Sequence, residues 1–144
     1  MRLLVQQQVF KSQKTFTPEE ASKTLPLVRR IAEDIARISS EWNATREKRL
    51  DFLQEGRMER ARELDSQAEE LCYQLEDYVQ ELEQLGCISK DPLRGLVDFP
   101  ARLSGRTVFL CWRLGEEEVL HWHEVEAGYL GRMPVRGFFD RTGG

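Results

Sequence analysis

The 144-residue sequence is short of several things, and each shortage excludes something. Its three cysteines, Cys72, Cys87 and Cys111, are widely spaced, odd in number and without a CxxC pair. No disulfide framework follows from that pattern, so a reducing, cytoplasmic compartment is the expected setting. No apolar run approaches the roughly 18 residues that a membrane span needs. The opening "MRLLVQQQVF" turns to glutamine too early for the apolar region of a signal peptide. No membrane partner is expected. Positive charge is in deficit as well: the net charge is −4, and Lys and Arg are interspersed with Glu and Asp. A basic stripe that would hold a phosphate backbone is missing, so no nucleic-acid partner is expected. No P-loop, dinucleotide-binding fingerprint, nucleophile elbow or HExxH occurs, and no cofactor is expected on that account.

What is present points first to helices. The charged share, 32%, is high for a compact sphere and suits long solvent-facing helices. "FTPEEA" carries an N-cap in Thr17, proline at the first helical position and a capping-box partner in Glu20. Pro26 then predicts a kink or a short lead-in helix. Beyond it Val28, Ile31, Ile35, Ile38, Trp42, Thr45, Arg49 and Phe52 alternate spacings of three and four, apolar apart from Thr45 and Arg49, up to a stop at Gly56. Ala61, Leu64, Ala68, Leu71, Leu75, Tyr78, Leu82 and Leu85 keep the same spacing, and Gly86 ends the run. Two helices of about 28 residues, roughly 42 Å each, joined by a short connection make an antiparallel hairpin with a coiled-coil-like seam.

From Cys87 the period changes to two. "GLVDFPA", "RTVFLCWR" and "EVLHWHEV" read as short strands, and the short turns between them predict a three-stranded antiparallel meander packed on the end of the hairpin. The fold class is therefore α+β, divided as an N-terminal extension (1–15, an edge strand or a disordered arm), a helical hairpin (16–86) and a sheet module with its tail (87–144). In that tail Phe138 and Phe139 are expected to dock back on the sheet.

Three stretches, Gly95-Leu96-Val97-Asp98-Phe99-Pro100-Ala101, Cys111-Trp112-Arg113-Leu114-Gly115 and Trp122-His123-Glu124, resemble the bacterial domain-of-unknown-function 2203 family. Together with "FTPEEASKTLPLVRRI" and "AGYLGR", the likeness covers about residues 16 to 135. It implies a small soluble prokaryotic protein, helical toward its N-terminus, with no assigned activity. It also makes His123, rather than His121, the position to watch.

Both histidines lie in "VLHWHEVEAGYLGR". In a strand, His-x-His puts two imidazoles on one face about 7 Å apart, a spacing that metal sites use. A divalent zinc or iron held by His121 and His123 would need a further ligand from Cys111, Asp98, Glu124 or Glu126. Parity restricts the choice. Gly115-Glu116 suits a two-residue type II′ turn, and a turn of that length sets Cys111 on the face opposite the histidines. Asp98 reads either as an ion-pair partner of Arg113 or Arg102, the favoured role, or as a buried acid. Arg132, in "GYLGR", is a candidate for anion binding. The candidate functional surface is therefore Asp98, Arg113, His121, His123, Glu124 and Arg132. The leading expectation is a non-catalytic interaction or scaffold protein that forms a homodimer through its hairpin and has room for a further protein partner. The alternative is a small metalloprotein or enzyme with its site on the sheet around His121 and His123.

Overall fold

The structure, a computed structural model, describes residues 14–139. Of the N-terminal extension, residues 1–13 lie outside the described range, as do 140–144 of the tail. The chain opens with α1 (Pro18–Lys23), α2 (Leu25–Gln54) and α3 (Met58–Leu85). The capping box forms as its spacing dictates. Glu20 N–H donates to Thr17 Oγ1 at 3.1 Å, and Thr17 N–H donates to the Glu20 carboxylate at 2.9 Å. Pro26 is accommodated in the first turn of α2, where no amide donor is required, so α1 is a separate lead-in helix. Among the described residues no helix is long and apolar enough to cross a membrane.

A five-stranded sheet follows, with β1 (Ile88–Asp91), β2 (Leu96–Leu103), β3 (Arg106–Arg113), β4 (His121–His123) and β5 (Met133–Pro134). Strand order equals chain order and every neighbouring pair is antiparallel, so the described residues form a meander of five strands rather than three. The two added strands are four and two residues long, too short to give an alternation in sequence.

One face of the sheet rests on the open end of the hairpin. Val97, Phe99, Ala101, Val108, Leu110, Trp112 and Trp122 join Val28, Ile31, Ile35, Val79 and Leu82 in one core. Full burial of such aliphatic side chains stabilises by about 1.5–3 kcal/mol each, so this layer dominates the energetics. The tail docks here too: the Phe138 and Phe139 rings lie 5.1 and 6.2 Å from that of Trp122. At its far end the hairpin has only a small second cluster of Phe52, Ala61 and Leu64. The other face of the sheet carries Leu96, Asp98, Phe109, Cys111, His121 and His123, as the register and the period of two require.

Candidate functional site

Three side chains from three strands converge on that second face. Asp98 on β2 is the register partner of Cys111 on β3, and Cys111 is in turn the partner of His121 on β4. His123 Nε2 meets Asp98 Oδ2 at 3.0 Å, with Asp98 1% and His123 2% exposed. His123 Nδ1–H donates to the backbone carbonyl of Glu124 at 2.7 Å. A carboxylate oxygen of Asp98, Sγ of Cys111 and a ring nitrogen of His123 all lie within 4.8 Å of one another, and all three residues are buried.

The imidazole sits between two acceptors, a carboxylate and a carbonyl, which favours the doubly protonated ring. Burial alone would lower the His123 pKa. The Asp98 hydrogen bond, the proximity of Cys111, the Asp98 charge and the Glu124 carbonyl outweigh burial and push it up to about 10. The group is then a buried histidine–aspartate pair with the Cys111 side chain alongside.

Cys111 belongs to this cluster, against the parity of a two-residue turn. The chain between β3 and β4 is seven residues, 114–120. Arg113 to Glu116 does form a turn, closed by Glu116 N–H to the Arg113 carbonyl at 2.9 Å. In that turn Gly115 occupies the third position at φ +106°, the type II arrangement, instead of opening a type II′ hairpin. The following residues leave the sheet: Val119 N–H donates to Ser22 Oγ at 3.0 Å beside α1 before the chain returns as β4. An odd-length connection restores Cys111 to the histidine face.

The other candidates are distributed around the cluster. Asp98 pairs with His123 and not with Arg113 or Arg102, a second departure from expectation. Arg102 donates to Thr107 Oγ1 and the Gly105 carbonyl, and Arg113 donates to the Tyr129 hydroxyl at 3.3 Å. The Glu124 side chain turns outward to Arg106, at 2.6 Å. His121 lies beside Cys111 in register, but its Nδ1 is 4.0 Å from Glu116 Oε2 and it stands outside the converging ligand set. The side chains whose potential ligand atoms converge are thus Asp98, Cys111 and His123.

Arg132 grips Glu116 with two hydrogen bonds, 3.2 and 2.5 Å, and its Nη1 is 4.0 Å from Cys111 Sγ. For Glu116, burial raises the carboxyl pKa, but the Arg132 hydrogen bonds and charge, the Arg113 amide and His121 together bring it below the usual range. A cavity of about 90 Å³ opens beside the cluster, lined by Lys90, Asp98, Cys111, His123 and Tyr129 among others. Gly128, at φ +69° and ψ −169°, makes the turn that sets Tyr129 there, a conformation open essentially to glycine alone. Sequence reading missed Lys90, Glu116 and Tyr129. The signal for Glu116 was the run Glu116-Glu117-Glu118, which fits an excursion in solvent better than a strand.

Each of the three stretches that carried the resemblance thus contributes one member of the cluster: Asp98, Cys111 and His123. No curated protein matches the chain, and no solved structure does. A family model described as an uncharacterised conserved protein, DUF2203, matches residues 14–135, and the chain belongs to that family.

Proposed function

We propose that the protein binds one divalent metal ion, zinc before iron, through Asp98, Cys111 and His123. The observation that carries this reading is the convergence of one oxygen, one sulfur and one nitrogen ligand, all buried, within 4.8 Å. A Cys–His–Asp triad for nucleophilic catalysis would put the carboxylate on the imidazole nitrogen remote from the thiol. Here the remote nitrogen is taken by the Glu124 carbonyl and the carboxylate is on Nε2. That is how metal-binding histidines are oriented, with the second N–H fixed by a carbonyl. A thiolate ligand favours zinc over magnesium or calcium, and three protein ligands are the number that an open zinc site uses. A reducing, cytoplasmic setting suits the reading, since it keeps Cys111 a free thiol, as it is here.

The test is zinc loading of the full chain after chelator treatment, followed by metal analysis and a thermal melt. Expected are about one zinc per chain and a raised Tm, both lost in Cys111→Ser and His123→Gln. Sub-stoichiometric zinc and an unmoved Tm would leave the cluster as a structural His123–Asp98 pair beside Cys111.

A second reading concerns assembly, and it is compatible with the first. Along the middle of the hairpin Trp42, Leu71 and Leu75 are only half-buried, and Leu50 and Tyr73 are 53% and 58% exposed. A second copy packed on this stretch as a four-helix bundle would cover them, which supports a homodimer.

A further inference from the structure

We infer that the metal site takes a small oxyanion, a carboxylate or phosphate group, as its exogenous ligand in the cavity beside His123. The inference rests on the metal reading above and adds the class of molecule bound. Charge is the first argument. A divalent ion held by a thiolate, a carboxylate and a neutral imidazole is a neutral unit. Around it stand three cations and one acid, Arg113 being the cation whose Nη1 donates to the Tyr129 hydroxyl on the cavity wall. Lys90 lines the cavity, its Nζ 5.1 Å from the Phe109 ring centroid, and that ring is 5.7 Å from His123. Arg132 Nη1 is 4.0 Å from Cys111 Sγ, with Glu116 as its partner. The surroundings of the cavity therefore carry a net positive charge. Two acids near the cavity, Glu124 and Asp91, are engaged with Arg106 and Arg94.

Shape and donors agree with charge. At about 90 Å³ the cavity falls well below the roughly 300–1,000 Å³ of clefts that hold drug-sized ligands. It admits a group of a few heavy atoms. The Tyr129 hydroxyl accepts from Arg113 and so retains its own proton for donation. Lys90 offers three donors on a flexible stem, and an ammonium beside a metal is a common way to hold an oxyanion.

The experiment uses the full chain loaded with cobalt(II), whose visible spectrum reports both the thiolate bond and a change of exogenous ligand. Acetate and inorganic phosphate are titrated separately at constant ionic strength set with perchlorate. Saturable spectral shifts are expected. In Lys90→Gln the oxyanion affinity should fall about tenfold, the loss of one charge-assisted hydrogen bond, while cobalt affinity stays the same. A thiolate–cobalt band that ignores both anions, or equal anion affinity in Lys90→Gln, overturns the oxyanion inference alone. Absence of any thiolate–cobalt band overturns this inference and the metal reading together.

Discussion

Asp98 and His123 meet at 3.0 Å although their strands are not neighbours. β2 and β4 both pair with β3, so the two side chains reach toward each other across the strand that carries Cys111. Adjacent strands lie about 4.8 Å apart, so the contact spans the width of β3 and needs both side chains on one face of the sheet. The contact therefore depends on register, and a shift of one residue in either pairing would abolish it.

The first prediction follows from the burial of this pair. In the metal-free protein Asp98→Leu leaves a buried imidazole without its partner and should cost about 3–5 kcal/mol in urea unfolding. Asp98→Asn should cost less, because the amide can donate to a neutral Nε2 while Nδ1–H keeps the Glu124 carbonyl. The double change Asp98→Leu with His123→Leu should recover much of the loss. Equal destabilisation by Asp98→Leu and Asp98→Asn would refute the pairing as described.

A second prediction separates Glu124 from the site. Its carboxylate pairs with Arg106 in solvent, and only its backbone carbonyl serves His123. Glu124→Gln should therefore leave zinc stoichiometry and affinity unchanged in calorimetric titration, in contrast to His123→Gln. A marked loss of zinc affinity in Glu124→Gln would mean that the side chain turns inward when metal binds.

The helices were legible in the sequence because their determinants are local. Thr17 and Glu20 satisfy each other within one turn, and Val28 through Leu85 keep the spacing of a helical seam. The site was legible only in part. Asp98 and His123 stood out as polar residues among aromatics, but nothing nearby in sequence said that they would meet. Cys111 was assigned to the wrong face because the Gly115 turn resembles a closed hairpin. What lengthens the connection is the bond from Val119 to Ser22, a contact across most of the chain. Register in a sheet is a tertiary property wherever a loop is held by a distant element.

The third prediction concerns the remaining thiols. Burial disfavours the Cys87 thiolate and pushes its pKa from 9.0 up to about 12, while Cys72 is partly exposed. In the native, metal-free protein a thiol reagent at mild alkaline pH should label Cys72, with Cys87 and Cys111 reacting only after unfolding. The linkage has a definite sign. A folded-state pKa above the unfolded one means that the Cys87 contribution is complete below pH 9.0 and is lost as pH rises toward 12. Cys87→Ala should flatten the alkaline decline in Tm over that window. Rapid labelling of Cys87 in the folded chain would contradict its burial.

The last prediction tests assembly without disturbing the fold. Leu50 on α2 and Tyr73 on α3 are mostly exposed in the single chain. Replacing such a residue by lysine in a monomer is expected to change stability by no more than about 0.5 kcal/mol. In a bundle of two hairpins the same change buries a charge or removes apolar contact, so Leu50→Lys and Tyr73→Lys should weaken association. Sedimentation equilibrium should give twice the chain mass for the parent and a shift toward monomer for the variants. The parent Tm should rise with concentration, and the variants' should not, because association stabilises by mass action. Half-buried Leu71 and Leu75 are poor choices for this purpose, since their substitution also removes packing within the single chain. A parent chain that sediments as a monomer at high micromolar concentration would reject the dimer and leave these side chains as ordinary exposed apolar surface.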